Sequence, residues 1–364
     1  MKIIINSSTS IIYYCLIFTL FFNSCKKENS NNPTVKVEIP SDFKLTFGQD
    51  TVLTVKPLTN ISSDIKLEIS FDETANIKIT ENIKLHDRLK EAIKLNSESK
   101  QILIKSNLLY PNSETSSING EKIPPTYKFK ISIIGKDGGI ISQNTSSFVV
   151  EKSGVSIKGA NKTNTIPFLY TLFSDKETLF DLESSSKVIE GVSWKLGSTN
   201  IESEKVSIIN NQLKFAAYTG KLSQLEEKTY EVEPQLIKDG FQVASNKIKI
   251  IFIPAIQFVY GTYYPDLDLN IKYNYLIVDL LSGYKSAAPA FYPEKYKGKF
   301  SIELIEMNTK EYDNSKGIFS IDENTGVITV KANNELKPSK YKLTIKATAN
   351  NGLEFTTPIT LVLE

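Results

Sequence analysis

The sequence predicts an all-β chain built as three β-sandwiches in tandem. Three observations carry this. Apolar and polar residues alternate in short runs of strand length along most of the 364 residues, as expected of sheets with one buried face. Asn-Gly, Asp-Gly and Asn-Asn pairs separate many of these runs and accept the positive φ of tight turns. A unit made of a hairpin, a strand led by Tyr, a polar turn and a closing strand occurs three times. Its repeat length, roughly 100 residues, is that of a sandwich domain. The chain is too long for one small core, so each sandwich is expected to carry its own.

The last unit is the clearest. Phe319, Ile321, Ile328 and Val330 alternate with polar residues on either side of Asn324-Thr325-Gly326, which predicts a hairpin. Tyr341, Leu343 and Ile345 then share one face, and Asn351-Gly352 supplies the next turn. In the first unit, residues 35–39, 52–55, 65–69 and 77–79 read as strands. Residues 82–95 read as the one helix, because Leu85, Leu89, Ala92 and Ile93 form a single apolar stripe. Residues 93–104 also fit a hairpin, which would end that helix early. Tyr127, Phe129, Ile131 and Ile133, a turn at Asp137-Gly138-Gly139 and a closing strand at 148–150 complete the unit.

The second unit holds an alternating strand at 192–196 whose Trp194 is expected between the sheets. A hairpin follows across Asn210-Asn211, then Tyr230, Asp239-Gly240 and a strand at 248–252. Pro234 predicts an edge or a bulge, since it cannot donate to a ladder. The expected division is 1–24 signal segment, 25–34 tether, and sandwiches at 35–152, 153–254 and 255–364.

Tyr127, Tyr230 and Tyr341 each open the next-to-last strand of a unit. They resemble the tyrosine corner of immunoglobulin-like domains, in which the hydroxyl returns to the backbone. The resemblance implies three tandem immunoglobulin-like β-sandwich domains after a lipoprotein signal peptide. Phe319-Ser320-Ile321-Asp322, with Thr325-Gly326 and Ile328, further resembles bacterial cadherin-like or Ig-like repeats. The acidic linker motifs of calcium-binding cadherins are absent from the sequence, so this likeness implies a fold and no metal.

The N-terminus supplies an address. Lys2 precedes an apolar run at 11–22 that is short for a bilayer span and right for a secretion signal. Phe22-Asn23-Ser24-Cys25 resembles the lipobox of bacterial lipoproteins, with Phe22 where Leu is usual. That family acylates the Cys, which implies lipidation at Cys25 and a membrane partner through an N-terminal lipid anchor. The polar tether that follows, with its Lys26-Lys27-Glu28, resembles surface lipoproteins of the Bacteroidetes type. The implied location is the outer membrane, facing outward. Cys15 lies within the signal, so the mature chain would hold no disulfide and no thiol for catalysis or metal binding.

The charge pattern excludes nucleic acid as a partner. Net charge is +2, no basic block stands out, and Arg88 is the only arginine. His86, the only histidine, is expected on the solvated side of the helix. One histidine without thiols speaks against zinc or haem. Asp266, Asp268 and Asn270 open like a calcium loop but lack its Gly and Glu, those places holding Ile271 and Ile277. A strand with a polar face is expected there instead. No cofactor is called for, and no enzyme: every recognisable segment is used in a sandwich, and no Gly-x-Ser-x-Gly turn is present.

The aromatic residues are more informative. Eight of the 17 tyrosines fall between Tyr260 and Tyr296. Tyr273 and Tyr275 share a face and are expected in the core. Tyr263, Tyr264, Tyr292 and Tyr296 are expected on loops, where ring faces with a hydroxyl rim suit sugars or partner surfaces. The functional expectation is a non-catalytic surface lipoprotein that binds a glycan or a protein through its distal domain. The alternative is a spacer or assembly subunit of an outer-membrane complex. A polysaccharide or ester hydrolase is the least favoured reading.

Overall fold

Three sheet pairs follow one another along the chain, and each is closed in the same way. The computed structural model describes residues 37–57, 65–71, 76–161, 166–186, 190–219, 226–332 and 336–364. The expected signal segment, Cys25 and the tether lie outside these residues. In the first sandwich the order is Asp42–Thr46, Ile140–Glu151, Tyr127–Ile134, Lys66–Phe71. A second sheet, Thr51–Thr54, Gln101–Ile104, Ile93–Asn96, covers it. Phe129, Ile131 and Ile133 from one sheet and Ile102 and Ile104 from the other are fully buried in the same core. Period-two patterning puts them there, because successive side chains of a strand leave opposite faces.

The second sandwich pairs Phe168–Leu172, Ile248–Ile253, Lys228–Lys238 and Val192–Thr199 in one sheet, with Phe241–Ser245 also on Lys228–Lys238. Its other sheet runs Val155–Ile157, Thr178–Ser184, Gln212–Phe215, Val206–Ile209. The third orders Leu276–Val278, Glu354–Leu363, Ser339–Thr348, Lys299–Met307 and Lys310–Glu311, facing Tyr284–Lys285, Ile328–Val330 and Phe319–Ile321. In every copy an early strand runs parallel to the last one: Asp42 beside Ser147, Phe168 beside Lys249, Leu276 beside Leu361. The strand that carries Tyr127, Tyr230 or Tyr341 is the antiparallel neighbour of the closing strand in each copy. The chain is thus all-β, with three immunoglobulin-like sandwiches in tandem.

The turns follow their residues. Asn210 and Asn211 both take positive φ, 49° and 64°, in the two-residue hairpin of the second unit. Asp322 Oδ1 accepts from the N–H groups of Asn324 and Thr325 and folds the 322–327 turn, with Gly326 at φ 74°. Pro234 sits where its strand changes partner. Residues before it pair with Ile248–Ile253, those after it with Phe241–Ser245, and a register shift lies opposite, between Leu196 and Thr199. The missing N–H therefore falls where the ladder is already interrupted.

Four expectations are corrected. Residues 77–79 form no strand, only a single bridge between Lys78 and Lys84. The helix α1 is shorter than 82–95 and runs Leu85–Ala92. The Asp87 carboxylate accepts from the Lys84 N–H at its start, and Ile93 turns at once into the strand Ile93–Asn96, whose pairing with Gln101–Ile104 outweighs further helix. Trp194 is only half-buried and packs at the margin of the core. Finally, the described buried residues form two clusters rather than three. The first and second sandwiches share one core, because Phe241, Val243 and Ala244 are completely buried at their junction and Phe241 lies 4.8 Å from the Tyr110 ring.

Of the three corner tyrosines, the described hydrogen bonds tie only Tyr127 back to the main chain. Its hydroxyl donates to the Tyr110 carbonyl at 2.7 Å and accepts from the Tyr110 N–H at 3.3 Å. Tyr230 and Tyr341 hold their places by ring packing, Tyr230 at 5.7 Å from Phe252 and Tyr341 at 5.1 Å from Phe319. The two kinds of tyrosine should respond differently to loss of the hydroxyl. Tyr127→Phe should destabilise the chain by about 1–3 kcal/mol, because buried backbone groups lose their partner. Tyr341→Phe should change stability by less than about 0.5 kcal/mol. Urea unfolding of the two variants measures the contrast.

Candidate functional site

The tyrosine-rich stretch 260–296 forms a hairpin and a strand on the flank of the third sandwich. Gly261–Tyr264 pairs with Leu269–Lys272 around the turn Pro265–Leu267, after which Asp268 takes φ 44°. Gly261 sits at φ 147°, and a Cβ there would come within 2.0 Å of the Ile271 carbonyl oxygen, so the two strands can approach only at a glycine. Tyr260 is buried, and its hydroxyl donates to the Gly326 carbonyl at 2.6 Å, which ties the base of the hairpin to the 322–327 turn.

The hairpin has two unlike faces. Tyr264 lies opposite Leu269, and Thr262 opposite Ile271, on the outer face. Tyr263 lies opposite Asn270 on the inner face, where Asn270 donates to Gln257 at 2.7 Å. The four tyrosines proposed from the sequence therefore do not form one platform. Tyr263 and Tyr292 meet on the inner face with ring centroids 5.2 Å apart. Tyr264 stands alone on the outer face and is exposed. Tyr296 is not on an exposed loop but buried, its hydroxyl donating to Glu227 of the second sandwich at 2.7 Å. Nor are Tyr263, Tyr264 and Tyr292 loop residues, since the first two belong to the hairpin strand and Tyr292 ends the strand Ala290–Tyr292.

Sequence reasoning misplaced the residues that matter most for exposure. Tyr273 and Tyr275, expected in the core, are exposed, Tyr275 at 60%. Leu267, Leu269, Ile271, Ile277 and Leu281 are exposed as well. Asp266 and Leu267 lie in a turn, so the expected strand with a polar face is instead a turn followed by a strand with an apolar outer face. The alternation was legible, but it could not say which face meets the core. Apolar exposure concentrated in one short stretch of chain suits an interaction surface. Among the described residues these two strands pair with each other and with no further strand.

Two polar expectations change as well. His86 is buried beneath the first sandwich, edge-on to Phe71 at 5.8 Å, because Leu85, His86, Leu89 and Ala92 are all turned inward in the short α1. Its Nε2 is buried without a partner. Among the described residues, no group of three or more His, Cys, Asp or Glu side chains is placed to hold a metal ion.

On the inner face of the hairpin, Tyr263 has a raised hydroxyl pKa. Partial burial, the hydrogen bond to Asp268 at 2.9 Å and that carboxylate's charge push its hydroxyl up to about 12, because they favour the neutral, donating form. Tyr263 should stay un-ionised through pH 11, and Asp268→Asn should bring its titration down toward the ordinary tyrosine range. Ultraviolet difference titration of each protein against its Tyr263→Phe counterpart reads the shift.

No protein-family model matches the chain, and no curated protein is significantly similar to it. Among solved structures, it is similar to extracellular domains 3–5 of Drosophila OTK, with 12% identity over 91% of this chain and 98% of that one at a TM-score of 0.30. It is similar to Sidekick-1 immunoglobulin domains 1–4, with 12% identity over 90% and 76% of the two chains at a TM-score of 0.28. A third likeness is to Drosophila N-cadherin EC1–4, with 12% identity over 89% and 74% at a TM-score of 0.24.

Proposed function

We propose that this chain is a non-catalytic surface protein that docks a protein partner on the third sandwich. The observation that carries the reading is the row of exposed apolar side chains from Tyr264 to Leu281 along the hairpin and the strand after it. Most of these are Leu and Ile. A sugar would ask for flat rings framed by hydrogen-bonding groups, whereas a protein surface asks for aliphatic area and a few aromatic anchors. Tyr264 and Tyr275 fit the role of anchors. The free edges of the hairpin offer main-chain pairing to a partner strand as well.

The N-terminus gives the surface its place. With acylated Cys25 in the outer membrane, the third sandwich is the part of the chain furthest along from the anchor. A spacer role is compatible with this and has its own support: the first two sandwiches share a core, so they move as one body. Docking at the far end of a stiff base is one device, not two.

Two experiments test the reading. A photo-crosslinking residue at Tyr275 should yield one discrete protein adduct on intact cells, and Ile271→Lys should reduce it about tenfold or more. The same residue at Lys128, exposed on the first sandwich, should yield none. Equal labelling at both positions, or no adduct at Tyr275, would exclude docking at the stripe. Separately, Cys25→Ser should move the protein from the membrane fraction to the soluble fraction and abolish acyl labelling.

A further inference from the structure

A cleft of about 470 Å³ opens where the second sandwich meets the third. It is distinct from the apolar stripe, and of the four tyrosines proposed from the sequence only Tyr296 lines it. Its framework is held by contacts within the chain. The Tyr296 hydroxyl donates to Glu227 at 2.7 Å, and the Lys295 ammonium lies 3.4 Å from the same oxygen and 4.8 Å above the Tyr296 ring. The Asn350 N–H donates to the Tyr296 carbonyl at 3.0 Å, which fixes the 349–352 turn against it. One wall is aromatic. Phe168 and Tyr170 project from the strand Phe168–Leu172 with ring centroids 5.7 Å apart and planes nearly perpendicular, and both are half-buried.

Asn351, which also lines the cleft, carries an unmet donor. Asn351 accepts the Leu353 N–H on its Oδ1 at 3.1 Å, but its Nδ2 is buried and has no partner. A buried amide donor left unpaired is costly, and a ligand oxygen that accepts from it removes that cost. Around it the polar groups are mixed and nearly balanced: one carboxylate, one ammonium and amides, with spare lone pairs on Glu227. Such a set does not select a phosphate, which would meet the Glu227 charge, nor a purely apolar molecule, which would leave the amides unserved. It suits a neutral molecule that carries donors and acceptors together on a partly apolar frame.

We infer that this interdomain cleft binds the end of a polyhydroxylated chain, an oligosaccharide. The C–H face of a sugar ring packs on Phe168 or Tyr170, neighbouring hydroxyls bridge Glu227 and Lys295, and one ring or hydroxyl oxygen accepts from Asn351 Nδ2. The volume falls within the range of small-molecule sites. Both sandwiches contribute, so the site exists only while Tyr296 and Glu227 hold the junction closed.

The test uses the full chain and a printed panel of short gluco-, galacto-, manno- and N-acetylglucosamine oligosaccharides, followed by calorimetry with any member retained. At least one member should bind. Asn351→Ala and Tyr170→Ala should each weaken it about tenfold or more, as loss of a hydrogen bond or of ring packing predicts. Glu227→Gln, which keeps an acceptor for Tyr296, should weaken it without opening the junction. Tyr264→Ala, on the stripe, should leave sugar binding unchanged, which separates this site from the docking surface. Absence of binding at millimolar concentration across the panel would overturn the inference. So would binding that survives both Asn351→Ala and Glu227→Gln.

Discussion

A tyrosine hydroxyl given to a carboxylate of the middle sandwich closes each of the two junctions. At the first, Tyr110 donates to Asp239 at 2.5 Å; at the second, Tyr296 donates to Glu227 at 2.7 Å. Both hydroxyls are held above the ordinary tyrosine range, burial being the largest cause in each case and the accepting carboxylate the next. Both contacts therefore persist across the physiological range. They also fix how far one sandwich can turn against the next, and the shared core and the interdomain cleft both rest on that.

The first junction is the more heavily built. Arg88 stands 3.0 Å from Glu91 and 3.8 Å from Asp239, so the only arginine of the chain serves the contact between two domains. Lys238 donates to the Asn107 carbonyl and lies over the Tyr110 ring, and burial lowers its ammonium pKa. Ser117 donates to the Gly240 carbonyl, and the Asp239-Gly240 turn is wedged between these groups. A turn that looks from sequence like a solvent-exposed hairpin end is in fact the lock. The second junction has fewer such contacts and leaves open space beside them, which is the cleft. Stiffness at one end and a gap at the other follow from the same kind of contact used with different density.

The third sandwich shows how period-two patterning can mislead. Leu269, Ile271 and Tyr273 alternate as cleanly as Tyr341, Leu343 and Ile345. The second set is buried because its strand lies between Lys299–Met307 and Glu354–Leu363, in the middle of a sheet that faces another. The first set lies on and just after a two-stranded hairpin, and among the described residues its side chains stay exposed. Alternation reports that a strand has an apolar side; whether that side meets a core depends on what packs there.

By itself, the sequence determined the class of the fold, its threefold repetition and the turns. Alternation, positive-φ residues at Asn210-Asn211 and Gly326, and the break at Pro234 are local properties, set by side-chain direction and backbone sterics within a few residues. Tyr127 as a hydroxyl anchor was legible for the same reason, since its position at the start of a strand is local too. Only the tertiary structure decided that His86 is buried, that Tyr296 belongs to a junction and that Tyr273 and Tyr275 face outward. It alone merged two cores into one and set Phe168, Glu227 and Asn351 around a common space. These are relations between residues far apart in the chain. They depend on how one sheet pair docks on the next, and no local pattern encodes that.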